Sequence, residues 1–261
     1  MKVVSLHRYP VKGLSPERLD RIALEPGEYV PGDRLYAIEN GPAGFDPGEP
    51  RHQPKIKFLM LMRNEALARL RTSYFDDSTV FVINLDGRDV VEADLSQAGG
   101  RLAVESFFRR YLPAELRGPP KVLTAPDGFR FTDSRRGHVS ILNLASVQAI
   151  EAVLGRPVDP LRFRANVAVD DLAPWAEFDL VGTELATRSG LVMKVTKRIV
   201  RCAATNVDPV TGERDLDIPR TLLDRLGHFD CGIYAEVVRP GTLSPGDGLR
   251  PREPEQPALP L

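Results

Sequence analysis

The sequence predicts a mainly β fold with few helices, and three observations carry that reading. Prolines (23) and glycines (21) recur along all 261 residues and cut the chain into short segments, which suits strands and turns better than a helix bundle. The clearest apolar runs are short and β-branched. Only a few stretches repeat apolar residues with a helical period.

Val3-Val4-Ser5-Leu6-His7-Arg8-Tyr9 reads as the first strand, stopped by Pro10. Residues 34–38, RLYAI, read as a strand that Arg34 opens after the turn Pro31-Gly32-Asp33. Residues 64–71, NEALARLR, read as a short helix. Segment 79–85, TVFVINL, is a strand followed by the turn pair Asp86-Gly87. A second helix is expected over 101–112, RLAVESFFRRYL. The third is the clearest: Asn143 is a natural N-cap, Leu144, Val147, Ile150 and Leu154 share a face, and Gly155 ends it. The stretch 113–128, PAELRGPPKVLTAPDG, is weakly patterned and marks the best boundary. It divides the chain into 1–118 and 119–250, leaving a proline-rich tail at 251–261.

The charge balance excludes several functions. Net charge is -1, and no basic stripe interleaved with aromatics appears, so neither nucleic acid nor a membrane surface is an expected partner. No apolar run approaches the ~20 residues needed to span a bilayer. The N-terminus lacks a secretory pattern, and a cytoplasmic location is the expectation. Two cysteines, Cys202 and Cys231, supply no disulfide framework, no structural zinc set and no four-thiolate iron–sulfur site.

Cys202 lies in KRIVRCAATNVDPVTGERD. If 191–202 is a strand, alternation puts Met193, Val195 and Ile199 on one face, and Lys194, Thr196, Arg198, Val200 and Cys202 on the other. Neighbouring cations such as Arg198 and Arg201 favour a thiolate, which is a nucleophile or a soft-metal ligand. A free cysteine also serves commonly as a small buried hydrophobe, and residue chemistry leaves both open for Cys202. For Cys231, at the start of an apolar strand, the buried role is expected. A Cys–His protease would need His138 or His228 near Cys202, and no local signature supports it. Lys12, Arg34, Arg162 and Arg164 stand at turn or strand positions and could grip an anion, although for each alone a solvated surface role is the better reading. Lys55 lies in a region with no matching motif.

YPVKGL (9–14), GHVSILNLAS (137–146), RFRAN (162–166), RCAATNVDPVTGERD (201–215) and GIYAEVVRPGTLSPGD (232–247) together resemble the MOSC family, named after the C-terminal domain of molybdenum-cofactor sulfurases. The resemblance runs from residue 1 to about 250. It implies an α+β protein of two packed β-rich domains, an N-terminal β-barrel of the kind that precedes MOSC and the MOSC β-barrel itself. It implies a molybdenum cofactor, a Mo-pyranopterin, with Cys202 as metal ligand and catalytic residue, and no iron–sulfur cluster or haem.

Carried over by position, Lys12, Gly13, Arg34, Asn143, Arg164, Asn166, Arg198, Arg201, Thr205 and Asn206 are the cofactor-binding candidates. Gly13 stands where some relatives have serine. Asp208 is expected to cap the VDPVTG turn, and that turn to shape the pocket rim. The implied activity is two-electron reduction of a small N-hydroxylated substrate. Some relatives carry a ferredoxin domain, so here a separate redox protein is expected as electron donor. The alternative is a cofactor carrier or a persulfide sulfur carrier.

Overall fold

The structure is a computed structural model that describes residues 1–134 and 139–252. Fifteen strands and three α-helices follow along the described chain. The first strands are β1 (Lys2–Arg8), β2 (Glu17–Leu19), β3 (Ile22–Leu24) and β4 (Tyr36–Asn40). Next come β5 (Arg71–Phe75), β6 (Val80–Leu85), β7 (Arg88–Asp94), α1 (Ala98–Tyr111) and β8 (Pro120–Thr124). The second half holds β9 (Val139–Asn143), α2 (Leu144–Leu154), β10 (Val167–Asp170), β11 (Glu184–Ala186) and β12 (Val192–Val200). It closes with α3 (Ile218–Leu226), β13 (Asp230–Arg239), β14 (Gly241–Leu243) and β15 (Arg250–Pro251).

The mainly β, α+β expectation holds. An eight-stranded sheet runs β15-β11-β12-β13-β9-β10-β1-β2. A three-stranded sheet, β5-β6-β7, and two pairs, β4-β8 and β14-β3, complete the set. Strand pairing crosses the division at 118/119 three times. β1 pairs antiparallel with β10, β3 with β14, and β4 with β8. One apolar core lies between the three-stranded sheet and α1, where Phe81, Ile83, Val104 and Phe108 are buried. A second fills the large sheet with Leu6, Ile141, Val167, Val195 and Ile233. A third packs α2 and α3 against that sheet around Leu142, Ile150 and Leu222, and the buried thiol of Cys231 belongs to it. No helix among the described residues is long and apolar enough to cross a membrane.

Local chemistry explains which elements keep their expected form. The Asn143 side chain accepts from the Ala145 N–H, and Gly155 closes α2 at φ 64°, as the capping pattern requires. Asp86 and Gly87 both take positive φ and turn β6 into β7. The helix expected over 64–71 is instead a 3-10 turn, Glu65–Arg69, that leads into β5. Asn64 does not cap it. Its Oδ1 accepts from the Met60 N–H and its Nδ2 donates to Glu115. Arg34 does not open β4 as an extended residue either. It sits at φ 50°, because the turn has not yet finished, and the strand starts at Tyr36. The helix expected over 101–112 starts earlier, at Ala98. His138 and the tail beyond Arg252 lie outside the described residues.

Gly232 fixes the pairing of β13 with β9. Its φ is 81°, and a Cβ there would lie 2.6 Å from the Ile141 carbonyl and 3.0 Å from Arg201 Nη2. Gly232→Ala is expected to cost roughly 2 kcal/mol or more through backbone strain and this contact. Denaturant titration checks it: the midpoint should fall with little change in slope. An unchanged midpoint would show that the site relaxes freely.

Candidate functional site

One cavity of about 440 Å³ gathers most of the candidates. It is lined by Lys12 and Gly13 after β1, Asp33 and Arg34 before β4, and Arg162, Arg164 and Asn166 before β10. Lys197 to Cys202 and Thr205, at the end of β12 and just after it, form another wall.

The strict alternation expected for 191–202 does not hold. The β12–β13 register shifts between Val195 and Lys197 and again between Arg198 and Val200. Such irregularities re-aim side chains. As a result Lys197, Arg198, Ile199 and Val200 all line the cavity, whereas Lys194 and Thr196 do not. The strand ends at Val200, and the Arg201 N–H donates to the Phe229 carbonyl. Cys202 then caps a 3-10 turn, Ala203–Asn206, and is partly exposed. The N–H and Oγ1 of Thr205 both donate to the Cys202 carbonyl at 3.0 Å, which holds the thiol-bearing residue at the lip.

The cations are held by rings, carbonyls and two carboxylates. Both guanidiniums of Arg34 and Arg164 lie against the fully buried Tyr9 ring, at 4.6 and 4.2 Å from its centre. Arg34 also donates to Asp33 at 2.5 Å, and Asp33 in turn accepts from the Tyr9 N–H. Arg164 donates to the Leu14 carbonyl at 2.7 Å. Lys12 Nζ donates to the Phe131 carbonyl and to the Asp133 carboxylate. Arg201 donates to the carbonyls of Cys231 and Phe163, and its buried Nη2 has no partner among the described residues. Burial pushes the Arg164 guanidinium down to about 10, with Arg34 adding to the shift and Tyr9 opposing it. Burial also lowers Lys12, although Asp133 opposes that. Tyr9 rises to about 12 through burial, against the pull of both arginines.

Other candidates do different work. Asn143 does not reach the cavity. Its Nδ2 donates to the Ala173 carbonyl and to the buried Glu177 carboxylate, so both ends of its amide are consumed in holding α2. Asn206 is also elsewhere, accepting from the Ile218 N–H and donating to Asp217 at the start of α3. Asn166 lines the cavity, but its amide clamps Ser140 to the His7 carbonyl. Asp208 caps its turn through the Val210 and Thr211 N–H groups, as expected.

Residues 207–212 do not line the cavity. They brace it from behind, because the buried Arg162 guanidinium bridges Asp208 and Asp215 at 2.8–3.0 Å. His228 lies against Trp175 and Phe178 and does not line the cavity. Serine at position 13 would be strained here: φ is 85° and a Cβ would lie 2.9 Å from the Leu59 carbonyl.

Sequence reasoning missed Tyr9, Asp33, Lys55, Asp133, Lys197 and Tyr234, all of them at the site. Lys55 comes from a segment with no motif, and only the folded chain brings it to this wall. YPVKGL did contain Tyr9, and an aromatic three residues before the lysine was the available signal.

The chemistry of this donor set suits an anionic group with a soft metal: a thiol at the lip, buried cations below it, and an unpaired guanidinium N–H. Among the described residues no three His, Cys, Asp or Glu side chains converge, so a metal at Cys202 needs further ligands from a bound cofactor.

Fold and site together define a mainly β protein with a cationic, thiol-bearing pocket. The family model of the MOSC domain matches residues 128–250, and that of the MOSC N-terminal β-barrel domain matches residues 1–114. The chain belongs to the MOSC family, whose domains are in general associated with molybdenum-cofactor binding. No curated protein matches it. Among solved structures, the YuaD protein from Bacillus subtilis is similar over 95% of this chain and 93% of its own, at 15% identity and TM-score 0.45. YiiM from Geobacillus stearothermophilus is similar over 45% of this chain and 55% of its own, at 18% identity and TM-score 0.36.

The Lys12–Asp133 pair makes the site sensitive to acid. Burial works against the Asp133 carboxylate, yet Lys12, helped by Lys55 and Arg34, lowers it from 3.8 to about 2. A depressed acid stabilises the fold above its unfolded value and loses that contribution as pH falls towards its folded value. The side chain is 51% exposed, so water screens the pair and its worth at neutral pH is ~1 kcal/mol or less. Asp133→Asn should therefore lower the urea midpoint at neutral pH, and the gap from wild type should close between pH 3.8 and about 2. A gap that stays constant across this range would assign the titration to other groups.

Proposed function

We propose that the cavity holds a Mo-pyranopterin cofactor and that the protein is a molybdenum-dependent reductase of small N-hydroxylated compounds. The observation that supports this reading is the meeting of Cys202 with Lys12, Arg34, Arg164 and Arg201 around one cavity, from opposite ends of the chain. When bound, the cofactor supplies two-electron chemistry at a metal, enough to cleave an N–O bond with release of water. The remaining tasks fall to the chain.

Cys202 supplies a soft sulfur ligand at the lip of the pocket. Arg34 and Arg164, held against Tyr9, offer fixed forks to a phosphate. Arg164 stays protonated at neutral pH even at about 10. Lys12 spends two donors on Phe131 and Asp133, and its third N–H remains for an anion. Arg201 Nη2 gains the partner it lacks. The Gly13 turn lets the backbone come close to the ligand. Protons come from solvent at the open mouth, and electrons from a separate redox protein.

Protein purified from a host that makes the cofactor is expected to carry about one molybdenum per chain, because only one thiol lines the pocket. Cys202→Ser should lose the metal, whereas Cys231→Ala should keep it. Lys12→Ala and Arg164→Ala should weaken cofactor retention roughly ten- to a hundredfold each, one charge-assisted hydrogen bond's worth. Arg88→Ala, at the exposed start of β7, is the control. Amidine formation from benzamidoxime, with an artificial low-potential donor, tests turnover. Wild-type metal in Cys202→Ser would overturn the ligand assignment. Full cofactor without turnover would favour the carrier reading.

A further inference from the structure

We infer that the substrate carries an anionic group, such as a carboxylate, apart from its N–O bond, and that Lys55, Lys197 and Arg198 at the cavity mouth receive it. This rests on the reductase reading above. Apart from Arg162, which Asp208 and Asp215 neutralise, the cations of the cavity fall into two sets. Lys12 is buried, and Arg34, Arg164 and Arg201 are largely covered and tied to carbonyls, Asp33 or Asp133. These suffice for one phosphate-bearing cofactor.

The second set stands further out. Lys197 and Arg198 are exposed and Lys55 is half-buried, and all three line the same cavity. Among the described residues none of the three pairs with a carboxylate. Lys197 lies over the Tyr234 ring at 5.4 Å and Arg198 over Phe178 at 4.4 Å, contacts that orient a cation without neutralising it. Two facts argue against a merely solvated surface. The shifts in β12 register let the adjacent Lys197 and Arg198 both border the cavity, Lys197 over Tyr234 on its lining and Arg198 over Phe178 beside it. Among the described residues the carboxylates on the lining are Asp33 and Asp133, and they are engaged by Arg34 and Lys12. The mouth therefore keeps an unbalanced positive field, which concentrates anions at the entrance.

The reaction served is balanced as follows. The N–O bond of an amidoxime breaks, two electrons come from the separate donor and two protons from solvent, and the products are the amidine and water. The anionic group takes no part in bond making. Its contacts are the same in ground and transition states, so they act on KM and leave kcat alone.

The test compares benzamidoxime with 4-carboxybenzamidoxime on the holoprotein, using reduced methyl viologen as donor. Binding of benzamidine and 4-carboxybenzamidine is measured by calorimetry alongside. The expected preference for the carboxylate is on the order of tenfold at low salt, carried by KM and product affinity, and it should shrink at about 0.5 M salt. The combined variant Lys55→Gln, Lys197→Gln, Arg198→Gln should bring the ratio towards one. Turnover of both substrates with equal kcat/KM would overturn this inference and leave the reductase reading standing. Preferential carboxylate binding without turnover of either would overturn the reductase reading alone. Neither preference nor turnover would overturn both.

Discussion

The contact of two guanidiniums with one buried phenol ring governs this structure. Arg34 and Arg164 are like charges in a low-dielectric pocket, and bringing them together opposes folding. The Tyr9 ring, the Asp33 carboxylate and the carbonyls of Leu14 and Arg164 absorb that cost. Arg34 comes from the first half of the chain and Arg164 from the second. Their meeting therefore demands that β1 join the large sheet beside β10 and that the halves share strands. Burial, with Arg34 adding to it, lowers Arg164 to about 10, and a bound anion would oppose that shift.

A second constraint sets the thiol. β12 must end so that Cys202 stands at the lip while Arg201 turns inward beneath Gly232. Behind them, Arg162 ties Asp208 and Asp215, and Arg214 reaches the Leu61 carbonyl in the first half. The loop after Cys202 thus braces the site rather than lining it. Neighbouring residues in the sequence divide the labour: Cys202 lines the cavity, Arg201 ties the Cys231 and Phe163 carbonyls together, and the loop behind them holds Arg162 and the Ala203 carbonyl.

Much of this was legible in the sequence. The capped helix at Asn143, the Asp-Gly turn after β6 and the mainly β character follow from local rules that tertiary packing did not override. The motifs around Lys12, Arg164 and Cys202 identified residues that do share a cavity. Other features were hidden for physical reasons. The 3-10 turn at Glu65–Arg69 has a helical composition, but the chain must pass into β5 within one turn. The register shifts in β12 have no residue signature, so strict alternation gave no sign that Lys197 lines the cavity. Asn143 showed a helix cap and an anion-binding position with the same residue, and its buried bonds to Glu177 and Ala173 decide for the cap. Lys55 reached the cavity from a segment whose sequence says nothing of it.

On the proposed reading, Cys202 and the surrounding cations form one site for a sulfur-ligated metal on an anionic cofactor. Molybdenum-edge X-ray absorption of the wild-type holoprotein tests it most directly, because it counts the sulfur atoms around the metal. With Cys202 as ligand, one sulfur is expected beyond the pair that the cofactor's own dithiolene supplies. A sulfur shell that the dithiolene alone accounts for would contradict it.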